Sequence, residues 1–188
     1  MFYVLVHFPD IDTVKIDRFR KKYDPTFELI EAHITIIFPV PASIGEKNLT
    51  EHIEKKLEGW SEFDIHLSGF EKSWDNWLFL VLREGRDQVI RLYDDLYQGI
   101  LEPYLRKDIQ FIPHLALGLF VKHKADYQYE APSQLPFDEE AYSSARQEAK
   151  SMELDYRCVF NKLHLLEIND DFTSISLIRE FELEGIGG

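Results

Sequence analysis

The sequence predicts an α+β fold, with duplicated mixed β-sheets in two lobes, helices outside them and a central cleft. Three observations predict it. Short β-like runs alternate with amphipathic helical stretches, the rhythm of sheets covered by helices. The order strand, helix, His-bearing strand, helix, strand runs from Phe2 to Phe70 and again from Trp77 to Ile168. The connection between the two copies, Glu71–Asn76, is too short for a linker. The 188 residues suffice to bury one core without staples. The expectation is a single two-lobed domain over 1–188, lobe 1 at about 1–75 and lobe 2 at about 76–188, with terminal strands able to cross between lobes.

Taken in order, Phe2–Phe8 is an apolar β-like run ended by Pro9. Asp12–Tyr23 reads as a helix with Val14, Ile16 and Phe19 as apolar points and Pro25 beyond it. Leu29–Val40 is an apolar, β-branched strand containing Ala32-His33-Ile34-Thr35-Ile36. Ser43 and Glu46 have capping-box spacing, and the helix after them places Leu49, Ile53, Leu57 and Trp60 on one face. Phe63, Ile65 and Leu67 alternate with Asp64, His66 and Ser68, a half-buried strand with His66 on its solvent side, closed by Gly69 and Phe70.

Trp77–Leu82 is the next strand. Val89, Leu92, Tyr93, Leu96, Tyr97, Ile100 and Leu101 recur at helical spacing and mark the clearest amphipathic helix. Phe111–Val121 is a strand containing Pro113-His114-Leu115-Ala116-Leu117. A polar loop with Pro132 and Pro136 leads to a helix near Glu139–Met152. Two last strands, Val159–Ile168 and Ile175–Leu183, flank an Asn169-Asp170-Asp171 turn, and Gly185–Gly188 reads as a flexible end. Trp60, Trp74, Trp77, Tyr93 and Tyr97 are mostly core by periodicity.

Lys plus Arg is 21 and Asp plus Glu is 34, a formal charge of −13. A surface that negative repels a phosphate backbone, so broad DNA or RNA backbone binding is not expected. A small anionic ligand in one local pocket remains compatible. Cys158 is alone, which excludes an internal disulfide and a thiolate cluster, and its strand-like flanks predict a packed thiol. Phe2–Phe8 lacks a basic leader and is too short to span a membrane, so a cytoplasmic protein is expected, acting as a monomer on a small substrate.

Side chains alternate along a strand, so residues i and i+2 share a face. His33, Thr35 and Ile37 share one face, and Ile34, Ile36 and Phe38 the other. His114, Ala116 and Gly118 share a face opposite Leu115, Leu117 and Leu119. Each strand thus has an apolar face for the core and a face with one imidazole beside a small side chain. A lone His on a strand is usually hydrogen-bonded or solvated. What raises His33 and His114 is that they occupy equivalent places in the duplicated order.

On His33-Ile34-Thr35-Ile36 and His114-Leu115-Ala116-Leu117, the sequence resembles the 2H phosphoesterase superfamily, the 2′-5′ RNA ligase-like or cyclic phosphodiesterase family, whose signature is two strand-borne H-x-[ST]-x motifs. The segment Phe111-Ile112-Pro113-His114-Leu115-Ala116-Leu117-Gly118 is similar to the family's second motif. The sequence departs from that pattern at Ala116, where the family usually has Ser or Thr, and at Leu119, where some members carry a basic residue. Lys122 shares the His114 face if the strand continues, and it is the candidate for supplying the charge.

The resemblance implies a LigT-like fold and metal-independent action, without cofactor, on a 2′,3′-cyclic or related phosphodiester of a small nucleotide or short RNA end. His33 and His114 would divide the proton work, with an ordinary pKa of ~6.5 letting neutral and protonated forms coexist. Thr35 would donate to a non-bridging oxygen. Two other classes stay open at this point. One is a nucleotide- or RNA-end-binding module with weak or no catalysis. The other is a metalloprotein using His33, His114 and His7.

Overall fold

Residues 1–122 and 135–185 are described in a computed structural model of the chain. Within them lie eight strands and four α-helices. They are β1 (Phe2–His7), α1 (Val14–Tyr23), β2 (Ile34–Pro41), α2 (Glu46–Leu57), β3 (Phe63–Lys72), β4 (Trp77–Leu82), α3 (Arg86–Leu96), β5 (His114–Leu119), α4 (Glu139–Ser151), β6 (Asp155–Phe160), β7 (Lys162–Ile168) and β8 (Ile175–Glu182). The polar loop around Pro132 and the last three residues of the glycine-rich end lie outside the described residues.

All strands join one sheet in the order β6-β3-β4-β5-β2-β1-β7-β8. The α+β class is the expected one, but every ladder between these strands is antiparallel where mixed sheets were expected. The two His-bearing strands, β2 and β5, meet at a single register pair, Ile34 opposite Leu115. β3 pairs with β4 and β6, while β7 pairs with β1 and carries β8 at the edge, so the third strand of the first copy joins strands of the second.

One residue, Asn161, separates β6 from β7, although these lie near opposite ends of the sheet. Neighbouring Cα atoms are only ~3.8 Å apart, so the sheet must curl until those ends meet. The ring of Phe160 accordingly stacks on His7 of β1 at 4.1 Å. This break also corrects the expected single strand Val159–Ile168, whose two parts pair with different neighbours.

The four helices contribute to one apolar core with one face of the sheet. Ile16 and Phe19 of α1, Leu49 and Ile53 of α2, Val89 and Leu92 of α3, and Ala145 and Ala149 of α4 pack there with Leu5, Ile34, Leu80 and Leu115. The other face carries two smaller clusters without helical residues. One contains Trp77, Phe79, Val81, Leu119 and Val121, the other Val4, Val6, Leu166 and Ile168. The candidate site lies between them on this helix-free face.

Local chemistry moved several boundaries. Residues 24–30 fold into turns, with the Phe27 N–H donating to Asp24 O and the Ile30 N–H to Thr26 O, so β2 starts at Ile34 rather than Leu29. The capping box does not form: residues 42–44 make a 3₁₀ turn and Gly45, at φ +84°, takes the cap position of α2. Gly69 does not close β3. At φ +82° it lies in a bulge between Leu67 and Phe70. The helix over 89–101 stops at Leu96, and Ile100 and Leu101 fall in a separate 3₁₀ segment containing Pro103. Trp74 is exposed, unlike the buried Trp77, Tyr93 and Tyr97. No helix among the described residues is long and apolar enough to cross a membrane.

Candidate active site

The pairing of Ile34 with Leu115 organises the site. Both side chains are fully buried in the helix-side core. In an antiparallel ladder that register places Thr35 opposite His114 and His33 opposite Ala116, all four on the helix-free face. The two histidines are then diagonal neighbours across β2 and β5, a relation that typically separates residues by about 7–8 Å. A phosphate group fits a gap of that order.

Both rings are fastened in the same way. His33 Nδ1 lies 2.7 Å from the carbonyl of Glu31, and His114 Nδ1 lies 2.5 Å from the carbonyl of Ile112. A carbonyl can only accept, so Nδ1 carries the proton in each bond and Nε2 is left with its lone pair. Each histidine thus uses the backbone two residues upstream to fix one tautomer. Phe79 lies under the His114 ring, with centroids 3.4 Å apart and planes at 18°. Phe8 meets His33 edge-on at 6.2 Å.

Lys122 is not brought to this patch. Leu78 pairs with Gly118 while Phe79 pairs with Ala116, so Leu117 is an extra residue in β5. Beyond that bulge the faces exchange. Leu119 and Val121 join Trp77 and Phe79, whereas Gly118 turns toward α1, where a Cβ would stand 2.5 Å from Cβ of Tyr23. The expected sharing of one face by His114 and Gly118 is corrected accordingly. Lys122 instead lines a hollow with Phe137, Asp138 and Glu139 at the start of α4.

His7 and His66 lie apart from this pair. His7 is on the core side, stacked on Phe160 with Nδ1 2.8 Å from Lys162 O, so it does not join His33 and His114. His66 is half-buried rather than freely solvated and bonds Asp155 at 2.9 Å. Among the described residues no three His, Cys, Asp or Glu side chains gather as a metal site. Cys158 is packed against the core, and burial pushes its thiol up to about 11, away from the reactive thiolate.

Residues 8–171 match the family described as the 2′-5′ RNA ligase superfamily, a span that includes both histidine strands. The chain belongs to the 2′-5′ RNA ligase superfamily. A Bacillus licheniformis protein named "Putative phosphoesterase" is 25% identical over 121 residues, covering 63% of this chain and 70% of that one. A Geobacillus thermodenitrificans protein of the same description is 24% identical over 102 residues, 53% of this chain and 58% of its own length. Two solved structures share the fold. Escherichia coli LigT complexed with 3′-AMP has 14% identity and a TM-score of 0.58, with 97% of each chain covered. The Thermus thermophilus protein TT0787 has 15% identity and a TM-score of 0.59, with both chains covered in full.

Burial sets the charge state of the two rings. Burial pushes His33 and His114 down from 6.5 to about 4. The carbonyl bonds oppose that shift, while the charge of His33 adds to it at His114. Arg20 lowers and Asp24 raises the His33 value. The free site is therefore neutral at pH 7, which corrects the expected coexistence of neutral and protonated rings. Sequence reasoning did not assign Phe79 and Phe8 to the histidines. Their place in apolar strands was visible, but which ring lies against which imidazole depends on register across strands.

Proposed function

We propose that the protein is a metal-independent phosphodiesterase acting on 2′,3′-cyclic or related nucleotide phosphodiesters through His33 and His114. The observation that carries this reading is the matched pair of imidazoles, each held by its Nδ1, on one face around the Ile34–Leu115 pairing. The binding of 3′-AMP by the fold relative LigT agrees with a small nucleotide as ligand. The reading takes the protein as a cytoplasmic monomer working without cofactor.

The neutral Nε2 of one histidine removes a proton from water as its oxygen bonds to phosphorus. The P–O bond to one ribose oxygen breaks, and the other histidine, protonated, delivers its proton there. The products are a phosphate monoester and a free ribose hydroxyl. Thr35 donates to a non-bridging oxygen. Since both rings are neutral in the free site, the substrate's own negative charge must raise the pKa of the proton donor once bound.

That coupling gives an expected pH dependence. The profile of kcat/KM reports the free protein and should peak on the acid side of neutrality, whereas the limbs of kcat should lie at higher pH. Rates measured from pH 4 to 9 check this, and coincident profiles would contradict it. The direct test of the function is incubation with a 2′,3′-cyclic mononucleotide in EDTA, with phosphorus NMR of the products. Ring opening to one monophosphate, undiminished by the chelator, is expected. Binding without turnover would overturn the reading in favour of a nucleotide-binding module.

A further inference from the structure

We infer that the buried Arg20–Asp24 ion pair is a positioning device for His33, holding the turn after α1 so that the Glu31 carbonyl meets Nδ1. The inference rests on the two-histidine reading above. Arg20 is 1% exposed and Asp24 7%, and they stand four residues apart at the end of α1. Arg20 Nε donates to Asp24 Oδ2 at 2.8 Å, and Nη2 donates to the carbonyl of Ile30, also at 2.8 Å. Asp24 Oδ1 accepts from both the N–H and the hydroxyl of Thr26, each at 2.7 Å. The guanidinium lies 5.7 Å over the ring of Phe27.

One ion pair therefore ties the start of the turn, at Thr26, to its end, at Ile30. The Ile30 carbonyl is one peptide from the carbonyl that accepts from His33. On the other side Ala32 and Ile34 are anchored in the core. Displacing the turn would move the Glu31 carbonyl and leave His33 free to rotate or change tautomer.

A purely stabilising role accounts poorly for this pair. Desolvating two charges is expensive, and buried ion pairs are often replaceable by apolar residues without loss. This one also leaves Arg20 Nη1 buried with no hydrogen-bond partner. The corresponding support for His114 is different. There the Pro113 carbonyl accepts directly from the Leu82 N–H at 3.1 Å, tying the approach to β5 onto β4. The two rings share a fastening but have separate scaffolds, so damage at Arg20 or Asp24 should reach His33 alone.

The test is two-bond ¹H–¹⁵N NMR of the histidine rings in the full chain, which reads the nitrogen that carries the proton, combined with kcat on a 2′,3′-cyclic mononucleotide. His33→Ala and His114→Ala spectra assign the signals. The parent should show both rings protonated at Nδ1. In Asp24→Asn and Arg20→Lys, His33 should become a mixture of tautomers while His114 stays unchanged, and kcat should fall about tenfold to a hundredfold with a smaller change in KM. Thr26→Ala, which keeps both charges, should give a weaker shift of the same kind and carries the test if the charge variants do not fold. A folded variant whose His33 keeps its Nδ1 proton, with kcat unchanged, overturns the inference. A parent without turnover would sink the functional reading instead, and the tautomer measurement would still stand.

Discussion

Replacing His33 or His114 with Ala is expected to lower hydrolysis of a 2′,3′-cyclic nucleotide by about 10²–10⁴-fold, the usual worth of one positioned proton-transfer group. Each ring sits at the edge of an apolar cluster, His33 against Phe8 and His114 against Phe79, so its loss leaves the helix-side core untouched. The double variant should be little worse than either single one, because the donor and acceptor act on one phosphorus as a unit. Steady-state rates, with circular dichroism to verify folding, check both statements. Full activity in either single variant would remove that ring from the mechanism.

The second large effect concerns acid. Burial holds His7, His33 and His114 at about 4 in the folded protein, against 6.5 for an ordinary imidazole. As pH falls through 6.5, the unfolded chain takes up protons while the folded one does not. These groups therefore withdraw stability progressively between pH 6.5 and about 4, and their effect levels off below that. For His7, which is 1% exposed, the shift from 6.5 to about 4 corresponds to about 3 kcal/mol lost across that window. Carboxylates held low by partners, such as Glu148 beside Lys22 and Tyr23, add a further loss at lower pH. Urea unfolding at pH 7 and pH 4.5 measures the change. His7→Phe should lose less stability over that interval than the parent, and equal losses would contradict the assignment.

The legible part of the site was the pair of histidines. They lie in strongly apolar runs at equivalent places in a repeated order, and a local pattern suffices to mark them. Lys122 was not legible because strict alternation was carried past Leu117, where β5 holds an extra residue and the faces exchange. Nothing in the composition of Leu115–Leu119 marks that bulge. The glycines show the same contrast. Gly69 read as a stop, yet it makes a bulge within a continuing strand, since the choice depends on whether β4 is there to pair with. Asn161 divides what read as one strand because the two sides find different partners, which only the curled sheet determines. The Arg20–Asp24 pair was not read from the sequence, because its burial and its bond to Ile30 depend on how the turn after α1 folds back.

The central claim is that two imidazoles distant in the chain contact one phosphate. Titration of ¹⁵N-histidine-labelled protein with a 3′-nucleotide tests it most directly, with Nε2 of His33 and His114 followed separately. Both signals should move along a single saturation curve with one dissociation constant, while His7, on the core side, stays still. Movement of one ring without the other, or of neither at saturating nucleotide, would contradict it.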